Sequence, residues 1–167
     1  LDELTLYADM AAAGELTLRI NVPFSVTPAT SLEELREAIA MRDAFLSHQV
    51  RSTAVKFFMD GVVESYTALL LDPYADKPDD CGKAIFEAEH FTHMVAECDC
   101  LGFQVITHAI GDAAIRRTLD GYAAALQKNG RRDSRHRVEH VELLHPTDLP
   151  RFRELGVIAS MQPVHET

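Results

Sequence analysis

The chain has no excess of positive charge. Sixteen lysines and arginines stand against 26 aspartates and glutamates, a formal net charge of −10 over 167 residues. A nucleic-acid-binding domain is expected to show a basic stripe, so no nucleic-acid partner is expected. Long apolar runs are also missing. None approaches the ~20 residues of a membrane span, and no basic, apolar, small-residue leader opens the sequence, so no membrane association is expected. Cysteine is scarce: Cys81, Cys98 and Cys100 are odd in number and irregular in spacing, which does not make a disulfide framework. They read as small buried residues, and a reducing cytoplasm fits them best. No strand-to-helix turn reads GxGxxG or GxxxxGK[ST], so a nucleotide site lacks its usual signature. A starting methionine is absent, and the sequence stops at "SMQPVHET" straight after an apolar run. The expectation is a segment of a longer protein.

What is present is an alternation of short apolar runs with helical patterns. The length fits one domain, and 47% hydrophobic with 25% charged residues is ordinary for a globular one. Residues 2–13 read as a helix closed by Gly14. "LTLRINVPF", 16–24, reads as a strand. Ser31 and Glu34 have capping-box spacing ahead of a helix carrying Leu32, Leu35, Ile39 and Leu46. "STAVKFFMDG", 52–61, is a second strand. A long loop follows to about Gly82, rich in proline, aspartate and glycine; connections of that length are usually functional or disordered. Residues 83–102 read as a helix with Ile85, Phe86, Met94, Val95 and Cys98 on its apolar stripe, closed by Gly102. "FQVITH", 103–108, is the third strand, and Asp112 caps the helix after it. That helix holds Lys128 in its last turn and ends at Gly130. "RHRVEHVE", 135–142, is a fourth strand. A short helix from Thr147 to Leu155 ends at Gly156, and "VIASMQP" is the last strand. Strict alternation implies parallel strands covered by helices. An open doubly wound sheet and a (β/α)8 barrel both satisfy it.

Three residues sit late in, or at the end of, these strands: Lys56, His108 and His140. In a barrel, groups at the C-terminal strand ends converge on one mouth, where chemistry is done. Neutral imidazole is the commonest metal ligand. A lysine becomes a ligand only if CO2 converts it to a carbamate. A strand period of two puts His136, Val138 and His140 on one face, with His136 at the structural end. Arg137 and Glu139 then point toward the helix layer unless a bulge intervenes. Taken singly, a strand-end histidine is more often a satisfied polar residue than a ligand. His90 and His93, three apart on a helix, read as a solvated face, and His48, His145 and His165 receive no role.

The stretches "VKFFMDGVVESYTALLLDPYAD", "VITHAIGDAAIRRTLDGY" and "RHRVEHVELLHPTDLPRFRELGVIASMQPVH" together resemble the amidohydrolase superfamily. They are most similar to its amidohydrolase-3 group, which includes N-substituted formamide deformylase-like metal-dependent hydrolases. The resemblance runs through most of the chain with the motifs in order. It implies an α/β fold, a partial (β/α)8 TIM barrel of about strands 3 to 7 with their covering helices, the whole chain being a fragment of the barrel domain. A complete barrel takes ~250 residues or more.

The resemblance further implies a metal site. Lys56 matches a bridging lysine that is commonly carbamylated, and His108 and His140 match histidine ligands. Asp112 matches a helix-capping aspartate, and Gln162 lies at a strand-7 position near the site. Tyr66 and Tyr74, in the loop after the lysine strand, are candidates for the substrate pocket. The implied cofactor is a divalent metal, zinc by expectation, one or two per complete barrel. The implied reaction is hydrolysis of C–N bonds in small amide-like substrates by metal-activated water. Two features of the pattern are missing: a His-x-His pair on the first strand and an aspartate on the eighth. The isolated chain is therefore expected to be inactive and incompletely metallated, and its unpaired strand edges predict a homo-oligomer. The competing readings are a non-catalytic α/β scaffold or binding module, and an open-sheet nucleotide-binding domain.

Overall fold

The computed structural model describes residues 2–166. The chain begins with α1 (Asp2–Ala12) and continues through β1 (Ile20–Asn21), β2 (Phe24–Ser25), α2 (Leu35–Ala44), β3 (Val50–Arg51) and β4 (Ala54–Phe58). It then runs through α3 (Ala88–Cys100), β5 (Gln104–Ala109), α4 (Asp112–Asn129), β6 (Arg137–His140), α5 (Leu149–Leu155) and β7 (Ile158–Met161). Five strands form one sheet in the order β2-β4-β5-β6-β7, every neighbouring pair parallel. Each new strand is laid beside the last, with no reversal of order. That is the progression of a barrel wall and not of a doubly wound sheet, and the fold is α/β, a partial (β/α)8 barrel. β1 and β3 form a separate parallel pair.

One face of the sheet is packed by helices. In a parallel sheet, register partners project to the same side. Phe57, Thr107, Val138 and Ala159 are partners across four strands. Phe57 stacks edge-on against Phe91 of α3 at 5.4 Å, and the Thr107 hydroxyl lies 2.8 Å from the Tyr122 hydroxyl of α4. This is the core face. α3 and α4 approach closely at Gly121, where an added Cβ would lie 2.6 Å from the Phe91 ring. The opposite face carries Lys56, Ile106, Arg137 and Ile158 in one row and Phe58, His108, Glu139 and Ser160 in the next. It is the interior side of the barrel wall. Among the described residues no helix covers it, and Phe58 and Ile158 remain 43% and 41% exposed.

Several boundaries differ from the sequence reading for local reasons. Residues 16–24 are not one strand. Pro23 has no N–H to give a ladder, and on its two sides the chain joins two different sheets. The Ser31–Glu34 box forms, with Ser31 N donating to Glu34 Oε2 at 2.7 Å and Glu34 N to Ser31 Oγ at 3.2 Å. It closes a turn just before α2 and does not start the helix itself. α3 begins at Ala88 because residues 83–87 are held to the exit of β4, where Ile85 N donates to Met59 O at 2.7 Å. Ile85 is consequently exposed. Of the three cysteines only Cys98 is buried; Cys81 is half-buried and Cys100 exposed. His93 is exposed, whereas His90 is half-buried and stacks on Phe86.

Candidate metal centre at the strand ends

The sheet gathers the predicted residues at the C-terminal ends of β4, β5 and β6. Lys56 Nζ lies 4.9 Å from the centre of the Phe58 ring. Phe58 lies 5.3 Å from the His108 ring, and His108 lies 4.6 Å from His140. Gln162, just past β7, accepts at 2.6 Å from Nδ1 of His140 through Oε1. Four sequence-predicted residues thus come together: Lys56, His108, His140 and Gln162.

His140 arrives by an unexpected route. By register it partners Ala109, so simple alternation would send it to the core face. Positive backbone angles at His140 (φ 75) and Val141 (φ 57) break the alternation and swing the imidazole to the mouth. Left-handed backbone at two successive non-glycine residues is costly, and such strain gathers at functional sites. The face assignment made from sequence is therefore reversed for this strand. Val138 and His136 pack on the helix side, whereas Arg137 and Glu139 face the barrel interior, paired at 2.7 Å.

The imidazoles are held in defined tautomers. His108 Nε2 lies 2.8 Å from the carbonyl oxygen of Gly61, which can only accept, so Nε2 carries the proton. Gln162 Oε1 likewise requires the proton on Nδ1 of His140. Burial lowers the pKa of both rings, and the nearby Lys56 adds to the effect. Both are thus favoured neutral, with Nδ1 of His108 and Nε2 of His140 unprotonated. An imidazole that donates one N–H to an oxygen and keeps the other nitrogen bare is the form that ligates metals. Lys56 is half-buried. Burial pushes its ammonium pKa down, with Glu139 opposing and Arg137 assisting.

The sequence reading missed Asp60. This carboxylate is 1% exposed and accepts from the backbone N–H groups of Leu69 (2.9 Å), Ile110 (3.1 Å) and Gly111 (2.8 Å). It stands 3.6 Å from His108 Nε2. Burial raises its pKa, against the three N–H bonds. The only sequence signal was an Asp-Gly at a strand end, which reads equally as a turn. Asp112 does less capping than expected. Its Oδ1 accepts from Ala113 N and from Leu71 N, both at 2.9 Å, so it ties the long loop to the first turn of α4.

Tyr66 and Tyr74 occupy that loop and meet each other edge-on at 5.1 Å. The Tyr66 hydroxyl donates to Asp76 at 2.6 Å and the Tyr74 hydroxyl to Ala68 O at 2.7 Å. Both hydroxyls are committed within the loop. The side chain of His165 lies outside the described residues.

The amidohydrolase family profile matches residues 1–167. The chain belongs to the amidohydrolase family, in its amidohydrolase-3 group. It is 34% identical over 163 residues to the Arabidopsis thaliana protein LONG AFTER FAR-RED 3, covering 98% of this chain and 27% of that protein. It is 32% identical over 110 residues to the putative amidohydrolase YtcJ of Bacillus subtilis, covering 66% of this chain and 20% of YtcJ. Two solved structures, described as uncharacterized metal-dependent hydrolases, superpose on it. That from Pyrococcus furiosus gives a TM-score of 0.76 at 29% identity, over 96% of this chain and 32% of that one. That from Pyrococcus horikoshii gives 0.72 at 32% identity, over 96% and 31%. The chain spans a third or less of the length of each of these relatives.

Among the described residues of this amidohydrolase chain, no three histidine, cysteine, aspartate or glutamate side chains converge as a metal-holding group. The donor set that does converge is two imidazoles and Lys56. Its chemistry, two neutral rings of fixed tautomer beside a lysine of lowered pKa, fits part of a divalent-metal site.

Proposed function

We propose that this chain is the central part of a metal-dependent amidohydrolase acting on C–N bonds of small amide-like substrates, with His108 and His140 as metal ligands. The observation that carries the reading is the pair of imidazoles 4.6 Å apart on neighbouring parallel strands, each held by an oxygen acceptor in a ligating tautomer. A divalent metal, zinc in our reading, supplies Lewis acidity and activates water at neutral pH when bound there. The chain's own residues prepare that chemistry. Gly61 O and Gln162 Oε1 orient the two rings. Lys56, on the same interior-facing side of the sheet, is the residue that CO2 would convert to an anionic carbamate donor, and Glu139 and Arg137 set its electrostatic surroundings. The loop from Gly61 to Gly82 leaves the end of β4 at the mouth, and Tyr66 and Tyr74 brace it as a wall for substrate.

With a partial donor set, the chain alone holds zinc weakly and does not hydrolyse amides. The whole enzyme works on a small molecule in the cytoplasm, and the edge strands β2 and β7 of this chain pair with further copies of it, which light scattering at micromolar concentration checks. The test of the metal reading is a zinc titration of the wild-type chain and of His108→Ala and His140→Ala. We expect measurable binding that falls at least tenfold in either variant. Equal binding by all three proteins would overturn the assignment.

A further inference from the structure

The buried carboxylate of Asp60 ties two segments of the mouth together with three hydrogen bonds. Through Leu69 N it holds the middle of the 61–82 loop, and through Ile110 N and Gly111 N it holds the turn from β5 into α4. Its own neighbour Gly61 supplies the carbonyl that accepts from His108 Nε2, and Asp60 Oδ1 is 3.6 Å from that nitrogen. The loop passes so close that a Cβ on Gly111 would lie 2.0 Å from Leu69 O. Gly61 itself donates to Thr67 O at 2.9 Å, which closes the first part of the loop back on the strand end.

We infer that Asp60 is a positioning residue for His108: it fastens the mouth loop onto the β5–α4 turn and, by fixing Gly61, holds the imidazole in the tautomer with the proton on Nε2. The loop and the ring orientation are therefore one cooperative unit. Releasing Leu69 from the carboxylate lets the Gly61 carbonyl move and the His108 proton redistribute. The inference gains its catalytic meaning from the proposed function, but the geometry stands without a metal.

The test uses the full chain with no metal present. Long-range proton–nitrogen NMR on labelled histidine should show His108 of the wild type as the single Nε2–H tautomer. Asp60→Asn turns an acceptor into an NH2 group that must face N–H donors. It should give a tautomer mixture at His108 together with at least tenfold faster hydrogen exchange across 61–82. Asp112→Ala cuts the ties to Leu71 N and Ala113 N and leaves the Asp60 carboxylate in place. It should speed exchange in the loop and leave the His108 tautomer as in the wild type. An unchanged tautomer in Asp60→Asn would reduce Asp60 to a structural residue and overturn the inference. Should that variant not fold, through-hydrogen-bond couplings from the amides of Leu69, Ile110 and Gly111 to the Asp60 carboxyl carbon decide it in the wild type. Their presence, with the Nε2–H tautomer, supports the inference, and their absence refutes it. Failure of zinc binding would count against the proposed function and leave these readings untouched.

Discussion

Acid should destabilise this fold through one buried histidine far from the mouth. His136 Nδ1 accepts from Val105 N at 3.0 Å, and its Nε2 lies 3.1 Å from Asp99 Oδ1. The bond to Val105 requires an unprotonated Nδ1, so the folded ring is neutral. Burial is the main cause that lowers its pKa from 6.5 to about 4, with Asp99 opposing and Arg132 assisting. The folded value lies below the unfolded one, so the stabilisation is complete above about pH 6.5. It declines as pH falls and is lost once pH passes about 4. A shift of that size is worth about 3 kcal/mol at 1.36 kcal/mol per pH unit. Urea unfolding from pH 7.5 to 4 should be compared for the wild type and His136→Asn, whose Oδ1 can still accept from Val105 N. The variant starts less stable by about 1–3 kcal/mol, the cost of disturbing buried hydrogen bonds. The gap then shrinks by about 3 kcal/mol toward pH 4. His108 and His140 also titrate, but equally in both proteins. Parallel stability curves would refute the reasoning.

Two substitutions probe the packing that positions the site. Tyr122→Phe removes a buried hydroxyl lying 2.8 Å from both Thr107 Oγ1 and Arg137 O. It should cost about 1–3 kcal/mol in denaturant unfolding, and a loss under about 0.5 kcal/mol would show that these bonds contribute nothing net. Gly111→Ala drives a Cβ against backbone 2.0 Å away at Leu69 O. It should destabilise by more than about 2 kcal/mol and open the 61–82 loop to protease. Gly156→Ala is the contrast. Its Cβ would meet only the end of the Arg131 side chain at 3.9 Å, so its left-handed backbone (φ 70, ψ 30) alone is penalised, at about 1–2 kcal/mol. Equal losses in the two glycine variants would contradict the close approach of the loop.

The repeating parts of the fold were legible because period and punctuation agree. β5, α4 and α5 followed from an apolar run, a helical stripe, and glycines at 130 and 156 that both take positive φ. His108 and His140 stood out as candidates because a residue type uncommon in strands recurs at the ends of β5 and β6. What stayed hidden depends on tertiary geometry. The reversed face of β6 follows from positive φ at His140 and Val141, the second a β-branched residue that rarely enters that region. Pairing of β1 with β3 needs a partner 30 residues away for only two residues of ladder. Asp60 draws its importance from N–H groups 9, 50 and 51 residues distant, and nothing in a strand-end Asp-Gly distinguishes it from an ordinary turn.

The central claim is that His108 and His140 share one metal through defined nitrogens. The most direct measurement is NMR of the chain with 15N-labelled histidine titrated with cadmium-113, which reports metal–nitrogen couplings atom by atom. We predict couplings to Nδ1 of His108 and Nε2 of His140 from the same cadmium ion, with the remaining histidines unaffected. Couplings to His90, His93 or His136 instead, or to neither mouth histidine at saturating cadmium, would contradict the account.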